Sequence, residues 1–256
     1  MTDKKLKKYL DGIYKHYRKK HSSKDPIWTL HRLDDPRDIE LLGFIISCYS
    51  YGQVNVINAF IERLLKITGS NIYEFTVNFS KSKDKKHLQG MYYRFHTGAH
   101  LIALIEILKK AVIKHGSLNN LFLSHYNESD ENIVNGLAGF TRELKSPLKA
   151  KESFKHFIPE PVTNSACKRL NLYLRWMVRK DEIDLGVWQG IKRSKLIIPL
   201  DIHVHRNALK LNLIQRRSPD LKFAVALTSK LKQFDPRDPV KYDFALCHTG
   251  IDKAIL

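Results

Sequence analysis

Two short segments of the chain concentrate the residue types that do chemistry. The first, Ser165-Ala-Cys-Lys-Arg-Leu-Asn-Leu-Tyr-Leu-Arg-Trp-Met-Val-Arg179, spaces Lys168, Asn171, Arg175 and Arg179 through a strongly apolar set. That spacing reads as an amphipathic helix with a basic outer face. Lys168 stands at its start, where the positive end of the helix dipole disfavours a cation and favours the neutral amine. A lysine there is mildly costly to stability, and a neutral amine is a nucleophile.

The second segment, Pro199-Leu-Asp-Ile-His-Val-His-Arg206, overlaps the end of the apolar run Lys195-Leu-Ile-Ile-Pro-Leu200. Pro199 has no N–H to give to a central strand, so the run suits an extended lead-in to a helix. Asp201 then stands where a helix N-cap belongs. Asp201, His203 and His205 also spell D-x-H-x-H. On a strand these alternate side chains would converge on a metal ion, whereas on a helix they fan apart. A metal-dependent hydrolase built on the three is one reading. His96 and His100 have the i, i+4 spacing of a helical metal pair, yet Gly98 lies between them and no Glu follows the first His. That pair reads as a polar helix start.

Helices must hold these groups. Val54, Ile57, Ile61, Leu64 and Leu65 recur at three- and four-residue steps, as do Leu101, Leu104, Ile105, Leu108 and Val112. Leu170, Leu174 and Met177 repeat the pattern, and Ala208, Leu209, Leu211 and Leu213 give a fourth helical segment. No clear period-two strand competes, so the fold class is all-α. Breaks such as Asp34-Asp-Pro36, Asn127 to Asn132 and Pro236 to Pro239 are too short to be flexible linkers. The three cysteines, Cys48, Cys167 and Cys247, lie too far apart for C-x-x-C, a zinc ribbon or a four-cysteine cluster. Each reads as a buried small apolar residue.

The 256 residues are 43% hydrophobic and 27% charged, which suits a soluble globular body and excludes disorder, collagen and coiled coil. Lys plus Arg number 44 against 26 Asp plus Glu, a formal charge of +18. Such a field favours a polyanion, nucleic acid first and an anionic membrane surface second. The runs Lys4 to Lys8 and Lys81 to Lys86 are candidates for phosphate contacts. Met1 to Lys8 has no apolar core of a signal peptide behind it, and no stretch approaches the roughly 18 apolar residues of a membrane span. The expected location is cytoplasmic, at the nucleoid, with no membrane partner.

In order, Glu40-Leu-Leu-Gly-Phe-Ile-Ile-Ser47, Tyr92-Tyr-Arg-Phe-His-Thr-Gly-Ala-His-Leu-Ile102 leading to Lys114-His-Gly116, the Lys168 helix, and Leu200-Asp-Ile-His-Val-His-Arg206 line the chain from Glu40 onward. This series resembles the helix-hairpin-helix DNA glycosylase superfamily. Endonuclease III and its relatives carry a similar E-L-L opening, a Y-N-x-K-A helix, a lysine at a helix start and a V-D-T-H-(V/I)-x-R segment. Asp201, His203 and Arg206 fall in register with the last of these. Pro161-Val-Thr-Asn-Ser165 stands where the family has its L-P-G-V-G hairpin. The interval from Lys168 to Asp201 is closer to that of the archaeal 8-oxoguanine glycosylases.

The resemblance implies an all-α, two-lobed fold with its active site in the cleft, one lobe spanning 38–195 and the other joining 1–37 to 196–256. It makes Lys168 the nucleophile that forms a Schiff base and Asp201 the catalytic carboxylate of a bifunctional glycosylase and abasic-site lyase. The implied substrate is double-stranded DNA carrying a damaged purine such as 8-oxoguanine, bound by a monomer without metal or cofactor. Tyr49, Tyr51 and Gln53, in the loop after the E-L-L helix, become candidates to fill the hole left by a flipped base. Arg175, His203 and Arg206 complete the expected DNA contacts. Phe95 and Trp176 read as core, while Trp28 and Trp188 are candidates to line a base pocket. A non-catalytic nucleic-acid-binding protein on the same scaffold is the alternative.

Overall fold

The computed structural model describes residues 2–18, 24–146 and 157–252. Its elements run α1 (Asp3–Tyr17), α2 (Pro36–Tyr49), α3 (Val54–Thr68), α4 (Ile72–Asn78), α5 (Lys81–Leu88), β1 (Tyr92–Tyr93), β2 (His96–Thr97), α6 (Gly98–His115), α7 (Leu118–Leu123) and α8 (Val134–Lys145). They continue with α9 (Lys168–Val178), α10 (Ile202–Lys210), α11 (Leu221–Lys232) and α12 (Asp243–Ile251). Among the described residues the class is all-α apart from one two-stranded antiparallel pair, Tyr92 opposite Thr97 and Tyr93 opposite His96. Two residues per strand are too few for alternation to appear in the sequence, so that pair was not legible there.

The central element is α2. Asp35 caps it, accepting from the Arg37 N–H at 2.8 Å, and Pro36 takes the first turn, where a missing N–H costs nothing. Every residue of α2 from Asp38 to Tyr49 is buried. Its Glu40 carboxylate accepts from the N–H groups of Leu118 (3.1 Å) and Asn119 (2.9 Å), capping α7, and from the Trp188 indole at 2.7 Å. One buried acid thereby ties α2 to α7 and to the loop beyond α9. Burial pushes the Glu40 carboxyl above its ordinary range, and these three donors oppose the shift.

Around α2 pack α9, α4 and the turn Pro26–Arg32, and α6 joins α4, α5, α7 and α8. A second group forms where α12 packs against α1 and α10, with the turn Pro239–Tyr242 against α11. A single apolar cluster runs through both groups, including Leu10, Phe44, Leu104, Tyr173, Val204, Phe223 and Leu246. The helix that the sequence extends to Leu213 ends at Lys210: Asn212 is left-handed (φ 52°), and the Leu213 N–H turns back to the Ala208 carbonyl at 2.9 Å. No helix among the described residues is long and apolar enough to cross a membrane.

Candidate active site

The start of α9 meets the end of α2. Lys168 is half-buried, and its Nζ donates to the Ser50 carbonyl at 3.2 Å, while buried Arg169 donates from Nη1 to the Cys48 carbonyl at 2.8 Å. Both cations therefore sit on carbonyls at the negative end of α2, which offsets the unfavourable end of their own helix. Upstream, the turn Pro161–Thr163 leads into Asn164 (φ 59°), and Cys167 (φ 46°) precedes Lys168. Both are left-handed, a conformation Asn adopts more easily than most residues. Asn164 is pinned to the start of α11, its carbonyl accepting from the Leu221 N–H and its Nδ2 donating to Asp220, each at 3.1 Å.

Asp201 is the N-cap of α10, as its place after the Pro199 run implies. Its Oδ1 accepts from the Val204 N–H at 2.8 Å, and its Oδ2 accepts from the Cys247 thiol at 3.1 Å. Cys247 lies one turn beyond Asp243 on α12, so the two share a face. The Asp243 carboxylate pairs with Arg175 Nη1. Burial pushes the Asp243 carboxyl up to about 7, against the pull of Arg175; the Asp201 carboxylate adds to the rise and the Lys168 ammonium opposes it. The Cys247 thiol is raised well above its ordinary range, first by burial, then by Asp201 and Asp243, again opposed by Lys168. Lys168, Asp201, Asp243 and Cys247 therefore form one electrostatic neighbourhood, built from the starts of α9 and α10 and one face of α12.

Several expected roles are corrected. Arg175 is 3% exposed and bound to Asp184 (Nε to Oδ1, 3.1 Å) and Asp243, so it does not face a DNA backbone. Asn171 and Arg179 are buried with it: Asn171 Nδ2 donates to the Ala166 carbonyl at 2.9 Å and Arg179 pairs with Asp184 and Asp238, so the polar stripe beyond Lys168 is an inner face. Tyr49 is 1% exposed and packed among the rings of Phe60, Tyr93 and Phe157, the last two edge-on, which removes it as a hole-filling residue. Trp188 is buried, bonded to Glu40 and packed on Tyr173. Trp176 is core as expected, but Phe95 is 75% exposed. It sits in the turn between β1 and β2, beside left-handed Arg94 (φ 51°), where it has no helix or sheet to pack under. Cys48 and Cys167 are buried as expected, whereas Cys247 is partly exposed and uses its thiol as a hydrogen-bond donor.

Other residues stay at the surface. Tyr51 is half-buried and Gln53 exposed, flanking Gly52, whose φ of +94° only glycine adopts freely. The Arg94 guanidinium lies 5.6 Å from both the Tyr51 and Phe95 ring centres, joining this loop to the β1–β2 turn. His203 is half-buried against Gly250, and Arg206 is exposed. His205 Nε2 lies 2.8 Å from the Arg217 carbonyl. Asp201, His203 and His205 do not converge. Among the described residues no three His, Cys, Asp or Glu side chains are placed to hold a metal ion. His100 caps α6 together with Thr97.

A family model described as "Protein of unknown function (DUF2400)" matches residues 25–252. The chain belongs to that family. The matched span takes in every member of the site, from Ser50 through Lys168 and Asp201 to Cys247. No curated protein and no solved structure matches.

Proposed function

We propose that the protein is a DNA base-excision glycosylase with lyase activity, acting on a damaged purine in duplex DNA. The observation that carries this reading is the contact of Asp201, at the start of α10, with Cys247 one turn from Asp243 on α12, a group of acids that also feels the charge of Lys168 at the start of α9. In this reading the two groups of packed helices are the lobes, and the cleft follows the starts of α9 and α10. A net charge of +18 supplies the attraction for the phosphate backbone.

The chemistry follows from the residue types. Lys168 gives a proton to a neighbouring carboxylate, and Asp243, whose proton affinity is raised by burial, is the acceptor, which leaves Asp201 ionised. The neutral Nζ attacks the sugar C1′; the N–C1′ bond forms as the bond to the base breaks, and the base leaves with the electron pair. The Asp201 carboxylate, fixed by the Val204 N–H and the Cys247 thiol, stabilises the positive charge that develops on the sugar. One Nζ proton passes to O4′ as the C1′–O4′ bond breaks, leaving an iminium on Lys168; the departed base then takes a proton from C2′, and the freed electron pair expels the 3′ phosphate. Tyr51, Gln53 and exposed Phe95 are the side chains available to occupy the gap left by the flipped base.

Borohydride reduction of the protein on duplexes carrying 8-oxoguanine, uracil or an abasic site tests the reading. A covalent band lost in Lys168→Gln supports it. The second reading, a non-catalytic nucleic-acid-binding protein, rests on the charge alone; it expects tight, salt-sensitive binding with no band and only a slight change in affinity for Lys168→Gln.

A further inference from the structure

A second concave surface lies at the opposite end of α9 from Lys168. Ten helical rises separate Lys168 from Val178 at the cleft, about 15 Å at 1.5 Å per residue. The cleft is open to solvent and has a volume of about 530 Å³, within the range of small-ligand sites. Four cations line it, Lys180, Lys192, Arg193 and Arg237, with no carboxylate among the lining residues. They come from three separate stretches: the end of α9, the loop 186–194 and the turn at 236–237.

Two of the four have partners. Lys192 pairs with exposed Glu128, and Arg193 lies 3.7 Å from Asp238. Neither Lys180 nor Arg237 forms an ion pair among the described residues. Uncompensated cations gathered in one concavity repel one another, a cost that an anion removes.

The walls are held in place without a ligand. Just behind them Arg179 is buried and donates to Asp238 (Nε to Oδ1, 2.9 Å) and Asp181 (Nη2 to Oδ2, 2.8 Å), and it also pairs with Asp184. Arg179 thereby fastens the 236–237 turn to the residues after α9. Gly186 (φ +61°) lets the loop pass so close that a Cβ there would lie 2.5 Å from the Lys180 Cβ. A rigid, preformed cationic cleft loses less entropy on binding than a flexible one. Val178, Ile191 and Pro236 add apolar surface beside the charges.

We infer that this cleft binds phosphate groups, the charges gripping phosphate and the apolar edge accepting the body of a nucleotide-sized ligand. The chemistry is shared by a free nucleotide and by a nucleic-acid strand passing the far side of the molecule, and the inference is independent of glycosylase activity.

The test is isothermal titration of the full chain with ATP, with pyrophosphate and with a single-stranded 8-mer oligonucleotide, on wild type, on Lys180→Glu/Arg237→Glu and on Lys168→Gln. Both reversed residues are exposed, so the double variant keeps its fold, which circular dichroism checks. Saturable binding of at least one probe, weakened about tenfold or more by the double reversal and unchanged in Lys168→Gln, is the expected result. Loss confined to ATP and pyrophosphate identifies a free nucleotide as the source, and loss confined to the oligonucleotide identifies a strand. Absence of saturable binding of all three at millimolar concentration overturns the inference, as does binding that the double reversal leaves intact.

Discussion

The thiol of Cys247 donates to Asp201 Oδ2 across 3.1 Å, while the Val204 N–H holds Oδ1 at 2.8 Å. The aspartate that caps α10 is thus oriented from both sides, once by its own helix and once by α12. A capping carboxylate needs only the first contact; the second fixes which way the remaining oxygen points. Raised well above its ordinary range, the thiol stays protonated and remains a donor.

Substitution at Cys247 separates donation from packing. Cys247→Ala is expected to slow single-turnover formation of the trapped complex roughly fivefold, the equivalent of about 1 kcal/mol for the loss of one hydrogen bond from a weak thiol donor. Cys247→Ser, which keeps a donor, is expected to stay within about twofold of wild type. Duplex affinity measured by anisotropy should be the same in all three proteins. Equal rates for Ala and wild type would remove the positioning role.

Asp243 gives a pH signature in stability. Its carboxyl is raised from 3.8 to about 7 in the fold, so the native state binds its proton more tightly than the unfolded chain does. The contribution is fully present below pH 4 and is lost as pH rises through about 7. Urea unfolding from pH 4 to 8 is expected to show wild type losing stability relative to Asp243→Asn across that window. Parallel curves would contradict the buried, raised carboxyl.

How much was legible in the sequence follows from how local each signal is. The all-α class and the Asp201 cap depend on neighbours a few residues away, and both stand in the structure. The orientation of α9 does not: periodicity places Arg175 and Arg179 on a polar stripe, but whether that stripe faces water depends on Asp184, Asp238 and Asp243 arriving from later in the chain. Phe95 reads as core in the sequence because nothing local shows that a two-residue strand pair lifts it into solvent. Cys247 and Asp243 carried a faint signal, one helical turn apart, that gains meaning only when α12 packs on α10.

Arg175 illustrates the cost of that inner polar face. Arg175→Met leaves Asp184 and Asp243 with one cation fewer in a buried site, and is expected to destabilise the protein by about 3–5 kcal/mol in urea unfolding. At a temperature where the variant is folded, the slope of log Kd for duplex DNA against log salt should match wild type, because a buried arginine releases no counterions from phosphate. A slope reduced by about one would return Arg175 to the DNA interface.

Phe95→Ala removes an aromatic ring that is already 75% exposed. Its melting temperature is expected to match wild type, since little apolar surface leaves the core. Trapping on a duplex with a base to be flipped is expected to fall several-fold, and trapping on an abasic site, which has no base to rotate out, to fall less. Equal losses on both substrates would assign Phe95 to general binding instead of gap filling.

The proposed joint action of Lys168 and Asp201 is tested most directly by borohydride trapping on an abasic-site duplex, with wild type, Lys168→Gln and Asp201→Asn run side by side at equal DNA occupancy. A covalent band in wild type, absent in Lys168→Gln and strongly reduced in Asp201→Asn, is the expected result. A band of undiminished intensity in Lys168→Gln, or no band on any duplex despite saturating binding, would contradict it.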